Sequence, residues 1–182
     1  ADTLDQLSVS EEVEGNSLLP EANVLGLSSD TPSVSISGGI VGSDPVDRYL
    51  DLPEDVDFYS FNLAAGQTVS LDIDTEASLV DGVINFRSVV YPEFSEILQT
   101  FDTELRLFDA QGNELAANND GAAPGEEFSR DPYLEYTATE SDTYYVGVSQ
   151  LGNRNYDPFV FNEGSGWTFP EVGVFNGFYD LT

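Results

Sequence analysis

Residues 55–74, with the sequence Asp-Val-Asp-Phe-Tyr-Ser-Phe-Asn-Leu-Ala-Ala-Gly-Gln-Thr-Val-Ser-Leu-Asp-Ile-Asp, decide the fold. Alternate residues are apolar on both sides of the central Ala-Ala-Gly-Gln run: Tyr59, Phe61 and Leu63 before it, and Val69, Leu71 and Ile73 after it. A period of two residues is typical of half-buried β-strands. The run between them, Ala64 to Gln67, is a turn signal and predicts a hairpin.

The same alternation recurs along the chain, at residues 33–37, 104–107, 134–138, 144–148 and 178–181. The Asp-Ala-Gln-Gly-Asn run at 109–113 predicts a second hairpin. A helix is predicted only for Pro92 to Gln99, as a short element inside a longer insertion. Short strands separated by frequent turns predict an all-β fold, an antiparallel β-sandwich of the jelly-roll kind with long loops.

The charge of the chain excludes several classes of partner. In 182 residues there are 34 acidic residues and five basic ones, for a formal net charge of −29. A nucleic-acid binder needs a basic patch, and an anionic membrane surface would repel this chain. We expect no nucleic-acid partner and no membrane insertion. Such a chain repels itself when compact, and either high salt or bound divalent cations relieve that repulsion.

The residue types that most hydrolases use are missing. Without His, Cys or Lys there is no common catalytic triad, thiol nucleophile, Schiff base or His-rich zinc site. A glycosidase that uses paired carboxylates stays open as an alternative, but the abundance of acids makes any chosen pair unspecific. We predict that the chain is not an enzyme.

The domain organisation predicted from composition is simple. Residues 1–20 are acidic and rich in Ser, which is typical of a linker or N-terminal extension. Residues 21–182 are predicted to form one binding domain. The chain has no Met, no signal peptide and no long apolar stretch, so we interpret it as a monomeric module from a longer exported protein, extracellular or on the cell surface.

Four motifs in order carry a resemblance to a known family. They are the run at 55–67, the run Asp-Thr-Glu-Leu-Arg-Leu-Phe-Asp-Ala-Gln-Gly-Asn-Glu-Leu-Ala at 102–116, the run Asn-Asn-Asp-Gly at 118–121 with Asp-Pro-Tyr-Leu-Glu-Tyr at 131–136, and the run Ser-Asp-Thr-Tyr-Tyr-Val-Gly-Val at 141–148. Together they resemble the bacterial pre-peptidase C-terminal domain family, over roughly residues 20–182. That family is similar to the collagen-binding modules of clostridial collagenases, which are calcium-binding β-sandwiches. The resemblance implies this fold, export and calcium, in proteins such as secreted peptidases and surface adhesins, but no single ligand.

The sequence also departs from the family pattern. The opening motif of the family has an acid after its Asn, whereas this chain reads Glu21-Ala22-Asn23-Val24. Residues 75–101 form a long insertion, and residues 150–178 are long and rich in aromatic residues. These departures put any transfer of ligand preference in doubt.

Two clusters offer the oxygen ligands that calcium prefers. The first predicted cluster lies at the start of a strand and consists of Glu21, Asn23, Asp55 and Asp57. In the resembled collagen-binding modules an acidic opening segment meets such an Asp pair around calcium. The alternative is that these groups are solvated acids before a strand.

The second predicted cluster consists of Asp102, Asn118, Asn119, Asp120 and Asp131, with Glu126 nearby in sequence. Its Asn-Asn-Asp-Gly run contains ligand types found in calcium loops and a Gly that permits a sharp turn. The alternative is an ordinary turn. Asp72 and Asp74 are interpreted as a solvated strand face.

A ligand-binding surface is predicted on the loops around residues 84–101 and 150–170. Aromatic and Arg side chains are frequent anchors of interfaces, and the predicted contact residues are Arg87, Tyr91, Arg154, Tyr156, Phe159 and Trp167. The alternative is that the aromatic residues cap the core.

The sequence therefore predicts a calcium-binding module of a large bacterial surface adhesin that recognises a peptide or glycan on another cell or surface. Two alternatives remain open: an accessory substrate-binding or processing domain of a secreted hydrolase, and a structural spacer stiffened by calcium.

Overall fold

The computed structural model describes residues 8–13, 15–40, 56–75, 79–80, 83–84, 103–126, 130–151, 153, 156–160 and 177–182. In these ranges the strands are β1 (Ser8–Glu11), β2 (Asn23–Val24), β3 (Val34–Ile40), β4 (Val56–Leu63), β5 (Thr68–Thr75), β6 (Leu79–Val80), β7 (Val83–Ile84), β8 (Thr103–Phe108), β9 (Glu114–Asn118), β10 (Tyr133–Thr137), β11 (Asp142–Gln150) and β12 (Gly177–Leu181). A short 3-10 helix, η1, spans Leu19–Glu21.

Ten of these strands form two five-stranded sheets, and β6 and β7 pair as a separate antiparallel two-stranded sheet. Sheet A has the order β1-β3-β12-β5-β10, and sheet B has the order β2-β4-β11-β8-β9. Neighbouring strands are antiparallel except in the pairs β1–β3 and β2–β4, which are parallel. The predicted all-β sandwich is confirmed.

The main core lies between the sheets and uses the residues that the alternation singled out. Sheet B contributes Tyr59, Phe61, Leu105, Leu107, Val146 and Val148, and sheet A contributes Ile36, Val69, Leu71, Ile73, Tyr179 and Leu181. Burial of these side chains is the dominant favourable term for the fold.

The connection at Ala64–Gln67 differs from the predicted hairpin. The two strands that it joins belong to different sheets, β4 to sheet B and β5 to sheet A. Gly66 has φ +85°, and its N–H bonds to the carbonyl of Ala138 at 2.7 Å. The chain therefore crosses between the sheets here, because the apolar faces of β4 and β5 meet across the core.

The second predicted hairpin, at 109–113, is confirmed. It joins β8 to β9 as antiparallel neighbours. One carboxylate oxygen of Asp109 accepts the N–H groups of Gln111 and Asn113, both at 2.9 Å, and Gly112 has φ +78°. The side chain of Asp109 thus fixes the turn.

A second apolar cluster covers the outer face of sheet B. Phe58, Phe108 and Tyr156 contact one another with ring centroids 5.8 to 6.0 Å apart, and Leu19 and Val56 complete the cluster. The guanidinium of Arg106 lies 4.2 Å from the centre of the Tyr156 ring and donates to Glu114 at 2.7 Å. Strands β4 and β8 are consequently buried on both faces.

The N-terminal segment takes part in the sandwich. Strand β1 pairs with β3, Asn16 is fully buried, and Leu19 is 4% exposed. Residues 8–13 and 15–20, part of the predicted linker or N-terminal extension, thus pack with the sandwich, while residues 1–7 and 14 lie outside the described ranges. The predicted helix at 92–99 also lies outside them. None of the described residues belongs to a helix with the length and apolar character needed to cross a membrane.

Candidate functional site

Asp57 lies near the start of β4 and is fully buried. It falls on the same alternating face as Tyr59 and therefore points between the sheets. The hydroxyl of Tyr179, on β12, donates to Asp57 Oδ2 at 2.7 Å, and the hydroxyls of Tyr59 and Tyr179 are also 2.7 Å apart. A carboxylate from sheet B is thus hydrogen-bonded to sheet A inside the sandwich.

Glu12 and Asn16 reach the same region from the N-terminal segment. Glu12 accepts from the side-chain amide of Asn16 and from the backbone N–H of Gly39, both at 2.9 Å. The carbonyl of Asn16 accepts the N–H of Phe58 at 3.0 Å, which places Asn16 beside the Asp57–Phe58 peptide. We call Glu12, Asn16, Asp57, Tyr59 and Tyr179 the inter-sheet cluster.

Gly38 allows the side chains of Tyr179 and Glu12 to lie close against the backbone of β3. A Cβ at Gly38 would lie 2.5 Å from the hydroxyl oxygen of Tyr179 and 3.0 Å from Glu12 Oε2. Both atoms therefore share the space above Gly38, and the Glu12 carboxylate lies close to the Tyr179 hydroxyl.

The electrostatics of the cluster keep Tyr179 a hydrogen-bond donor. Burial raises the pKa of Tyr179 well above its ordinary value, and the charges of Asp57 and Glu12 and the hydroxyl of Tyr59 raise it further. The phenol consequently stays neutral beside the two carboxylates.

One oxygen of the cluster fits a cation. Asn16 Oδ1 is buried and has no hydrogen-bond partner in the described part of the chain. A buried acceptor without a partner is costly. Amide and carboxylate oxygens are the ligands that calcium takes, so Asn16 Oδ1 with the carboxylates of Glu12 and Asp57 is a donor set of the right chemistry.

Of the described residues of the first predicted metal cluster, Asp57 belongs to the inter-sheet cluster. Glu21 is exposed in η1, and Asn23 lies opposite Tyr59 and donates to the carbonyl of Val13 at 2.9 Å. Asp55 lies outside the described residues. The structure brings Glu12 and Asn16 to Asp57 in place of Glu21 and Asn23. The sequence signal for these residues was an acid and an amide four residues apart, Glu12 and Asn16, ahead of the apolar Leu19. It was overlooked because the segment was interpreted as a linker or extension.

Four of the five residues of the second predicted metal cluster are described, and they lie around one turn. Gly121, next to Asp120, donates its N–H to the backbone carbonyl of Asp131 at 3.2 Å. The side-chain amide of Asn118 donates to the carbonyl of Tyr133 at 2.6 Å, and its oxygen accepts the N–H of Asp120 at 3.2 Å. Asn119 donates to the Asp120 carboxylate at 3.0 Å. These bonds form a side-chain-stabilised turn, which is the alternative stated above. Asp102 lies outside the described residues.

Asp131 also lies near an acidic group on the outer face of sheet A. Carboxylate oxygens of Asp72, Asp74 and Glu126 lie within 4.8 Å of one another, and we call these three residues the outer acidic cluster. Burial raises the pKa of Asp72 to about 6, and Glu126, Asp74 and Asp131 add to the rise. The sequence did not predict this group because Glu126 lies far along the chain from Asp72 and Asp74.

The predicted ligand-contacting residues divide into two groups. Arg87, Tyr91, Arg154 and Trp167 lie outside the described residues. Tyr156 is 8% exposed and belongs to the apolar cluster over sheet B, so the expectation that it faces a ligand is corrected to a core role. Phe159 is 46% exposed, and its ring packs over Gly112.

Comparison with known proteins gives a family for the chain. Residues 55–150 match the model of the bacterial pre-peptidase C-terminal domain. Two solved structures are similar: the pre-peptidase C-terminal domain of a collagenase from Bacillus anthracis (16% identity, 88% of this chain and 92% of that chain, TM-score 0.44) and PliG from Aeromonas hydrophila, a periplasmic inhibitor of g-type lysozyme (11% identity, 96% and 94%, TM-score 0.45). No curated protein matches the chain in sequence. The family match spans more than half of the chain, which therefore belongs to the bacterial pre-peptidase C-terminal domain family, a family of accessory, non-catalytic domains.

Proposed function

We propose that this domain is a calcium-stabilised ligand-binding module of an exported protein. The observation that supports the proposal is the inter-sheet cluster, in which the buried Asn16 Oδ1 has no hydrogen-bond partner in the described part of the chain. The same side chain donates its amide to Glu12, and the backbone carbonyl of Asn16 accepts the N–H of Phe58, the residue after Asp57. When bound, calcium would supply positive charge at this point and relieve the repulsion between the carboxylates.

The residues of the cluster determine what the ion would do. Glu12 and Asn16 belong to the N-terminal segment, Asp57 belongs to β4, and Tyr179 holds Asp57 from β12. An ion held by Glu12, Asn16 and Asp57 would fasten the N-terminal segment to both sheets. Since a ligand of the native state stabilises it by mass action, removal of calcium should lower the melting temperature by many degrees.

The test is thermal unfolding and calorimetric titration with calcium after the bound ions have been removed. The wild type should melt many degrees higher in calcium than in chelator. Asp57→Asn and Glu12→Gln should lose most of that increment, and Glu21→Gln, which removes a predicted ligand outside the cluster, should keep it. Equal melting of the wild type in calcium and chelator would contradict the proposal.

We place the module in a large bacterial surface adhesin, with a peptide or glycan as ligand. A net charge of −29 suits a saline, calcium-containing exterior. The predicted loops at 84–101 and 150–170 remain our proposed ligand surface, with Phe159 as its exposed described member. Repetitive extender domains on either side in the parent protein would support an adhesin, and an adjoining peptidase domain would support the accessory role.

The proposal includes no catalysis by the domain. No His, Cys or Lys is present in the sequence, and the carboxylates of Asp57 and Glu12 already accept hydrogen bonds from Tyr179 and from Asn16 and Gly39. We expect no turnover of peptides, esters or glycosides by the purified domain. Turnover that disappears on substitution of one carboxylate would contradict this.

A further inference from the structure

The segment 156–160 is held against the outer face of sheet B by contacts from two other elements. From β8, Arg106 donates to the backbone carbonyl of Tyr156 at 3.3 Å, and its guanidinium lies 4.2 Å from the centre of the Tyr156 ring. From η1, the backbone N–H of Leu19 donates to the carbonyl of Pro158 at 2.9 Å. The backbone of this segment is therefore fixed by the fold and does not depend on a ligand.

Phe159 extends from this segment to the turn between β8 and β9. Its backbone N–H donates to a carboxylate oxygen of Asp157 at 2.9 Å, and one side of its ring packs over Gly112. Even so, Phe159 is 46% exposed, and its neighbour Val160 is 39% exposed. We call Phe159 and Val160, with Gly112 beneath the ring, the Phe159 platform. Because its backbone is already ordered, the platform loses little conformational entropy when a partner binds.

Carboxylates lie beside this platform. Asp109 accepts the N–H groups of the two residues that flank Gly112, both at 2.9 Å. Asp157 is exposed two residues before Phe159, and Glu114 begins β9 directly after the turn. The described cation nearby is Arg106, which is 8% exposed and already donates to Glu114 at 2.7 Å. The platform is thus an apolar surface in negative surroundings.

The chain itself shows how such surroundings accommodate a guanidinium. The guanidinium of Arg106 lies 4.2 Å from the centre of the Tyr156 ring and 4.8 Å from that of Phe108, while its Nε donates to Glu114. A planar guanidinium can stack on a ring and bond to a carboxylate at the same time. Phe159 and its neighbouring carboxylates offer the same two features at the surface, and within the described ranges no Arg stacks on the Phe159 ring.

We propose that the Phe159 platform binds an Arg side chain of a partner polypeptide. The ring attracts the cation, the carboxylates of Asp157 and Asp109 attract its charge, and the apolar stem of the Arg packs on Val160. A neutral sugar could stack on the ring but would not use the negative charge, and an acidic ligand would be repelled. The inference rests on the proposed binding role and names its ligand class, but it does not need calcium at the inter-sheet cluster.

Nuclear magnetic resonance titration of the calcium-loaded domain with the probe acetyl-Ala-Arg-Ala-Arg-Ala-amide tests the proposal. The ring signals of Phe159 and the amide signal of Gly112 should shift with a saturable dependence on the probe. The same peptide with citrulline in place of Arg keeps the shape but not the charge, and should bind about tenfold more weakly. Lys in place of Arg should also bind more weakly, since an ammonium does not stack as a plane.

Three variants separate the ring from the charge. Phe159→Leu removes the ring and keeps every carboxylate, and should weaken binding of the Arg probe about threefold. Asp157→Asn removes one charge and keeps an oxygen that can accept the Phe159 N–H, and should also weaken binding. The matched control is Asp120→Asn, which removes an exposed carboxylate beyond the other end of β9 and should change affinity little. Melting curves in calcium show that each variant is folded.

Several outcomes would overturn the inference. Equal affinities for the Arg and citrulline probes would leave only apolar contact, and equal losses from Asp157→Asn and Asp120→Asn would assign binding to net charge. An unchanged affinity of Phe159→Leu would place the Arg elsewhere. If the ring signals respond to chitotriose but not to the Arg probe, the occupant is a glycan. If neither probe moves these signals while calcium still raises the melting temperature, this inference fails and the proposed calcium-stabilised module stands.

Discussion

The inter-sheet cluster and the outer acidic cluster both gather carboxylates, yet their surroundings differ. In the first, Asp57 is fully buried and held at 2.7 Å by Tyr179, and the neighbouring Asn16 oxygen has no hydrogen-bond partner in the described part of the chain. In the second, Asp74 and Glu126 are exposed and Asp72 is partly buried. Water can solvate the carboxylates of the outer acidic cluster. The buried polar atoms of the inter-sheet cluster depend instead on hydrogen bonds or ions within the fold.

This difference shows that acidity by itself does not identify a metal site in so acidic a chain. Exposed carboxylates at close range mainly repel one another, and their repulsion is screened by salt. A buried oxygen without a partner carries a desolvation cost that a bound cation removes. Matched substitutions in the two clusters test whether they differ in this way.

The largest contrast should come from the same substitution made in each cluster. Asp57→Ala leaves the buried Tyr179 hydroxyl without its carboxylate acceptor and should destabilise the domain in calcium by about 3 kcal/mol. Asp72→Ala relieves repulsion and should be neutral or slightly stabilising. Chemical denaturation of both variants in calcium measures the contrast. Similar losses in the two variants would mean that both clusters are structural.

A smaller effect is expected at Gly38. A Cβ there would meet the end of the Tyr179 side chain at 2.5 Å, and that ring is fixed by hydrogen bonds to Asp57 and Tyr59. Gly38→Ala should therefore cost about 1–3 kcal/mol and weaken calcium binding. Gly26→Ala is the matched control, since a Cβ at Gly26 meets no atom within 4 Å. An unchanged Gly38→Ala variant would show that the cluster is loosely packed.

The smallest effect is the pH dependence of the outer acidic cluster. The folded-state pKa of Asp72 is about 6, above its ordinary value of 3.8, so the native state binds more protons than the unfolded state between these values. Stability contributed by this group is therefore lost as the pH rises through that window. Without calcium, Asp72→Asn should raise the melting temperature at pH 8, and the gain should vanish near pH 4.

Asp120→Asn is the control for that experiment, because it removes one exposed acid outside the cluster. An equal gain from Asp120→Asn at pH 8 would assign the effect to net charge and not to the grouping of Asp72 with Asp74 and Glu126.

Much of the fold could be predicted from the sequence, because alternation identifies strands and their buried faces. It does not say which sheet a strand joins. The four-residue run at 64–67 suits either a hairpin or a crossing between sheets, and only the packing of β4 against β5 distinguishes them. The burial of Phe58 and Arg106 on the outer face of sheet B was hidden because it depends on Tyr156, which lies 50 residues after Arg106 and still further from Phe58.

The site was predicted in part. Asp57 was predicted from its place at the start of a strand, and the structure places it in the buried inter-sheet cluster, while its role as a metal ligand stays a prediction. Glu12 and Asn16 were missed because a polar, acidic segment has the composition of a linker, and their burial depends on pairing between β1 and β3. The outer acidic cluster was missed because Glu126 reaches Asp72 only through the fold.

The most direct test of calcium binding at the inter-sheet cluster is a crystal structure of the domain grown in calcium, with anomalous scattering used to locate the ion. We predict a calcium peak within bonding distance of Asn16 Oδ1 and the Asp57 carboxylate, with Glu12 as a third ligand. A peak only among Asp72, Asp74 and Glu126, or a well-ordered inter-sheet cluster with no calcium at saturating concentration, would contradict it.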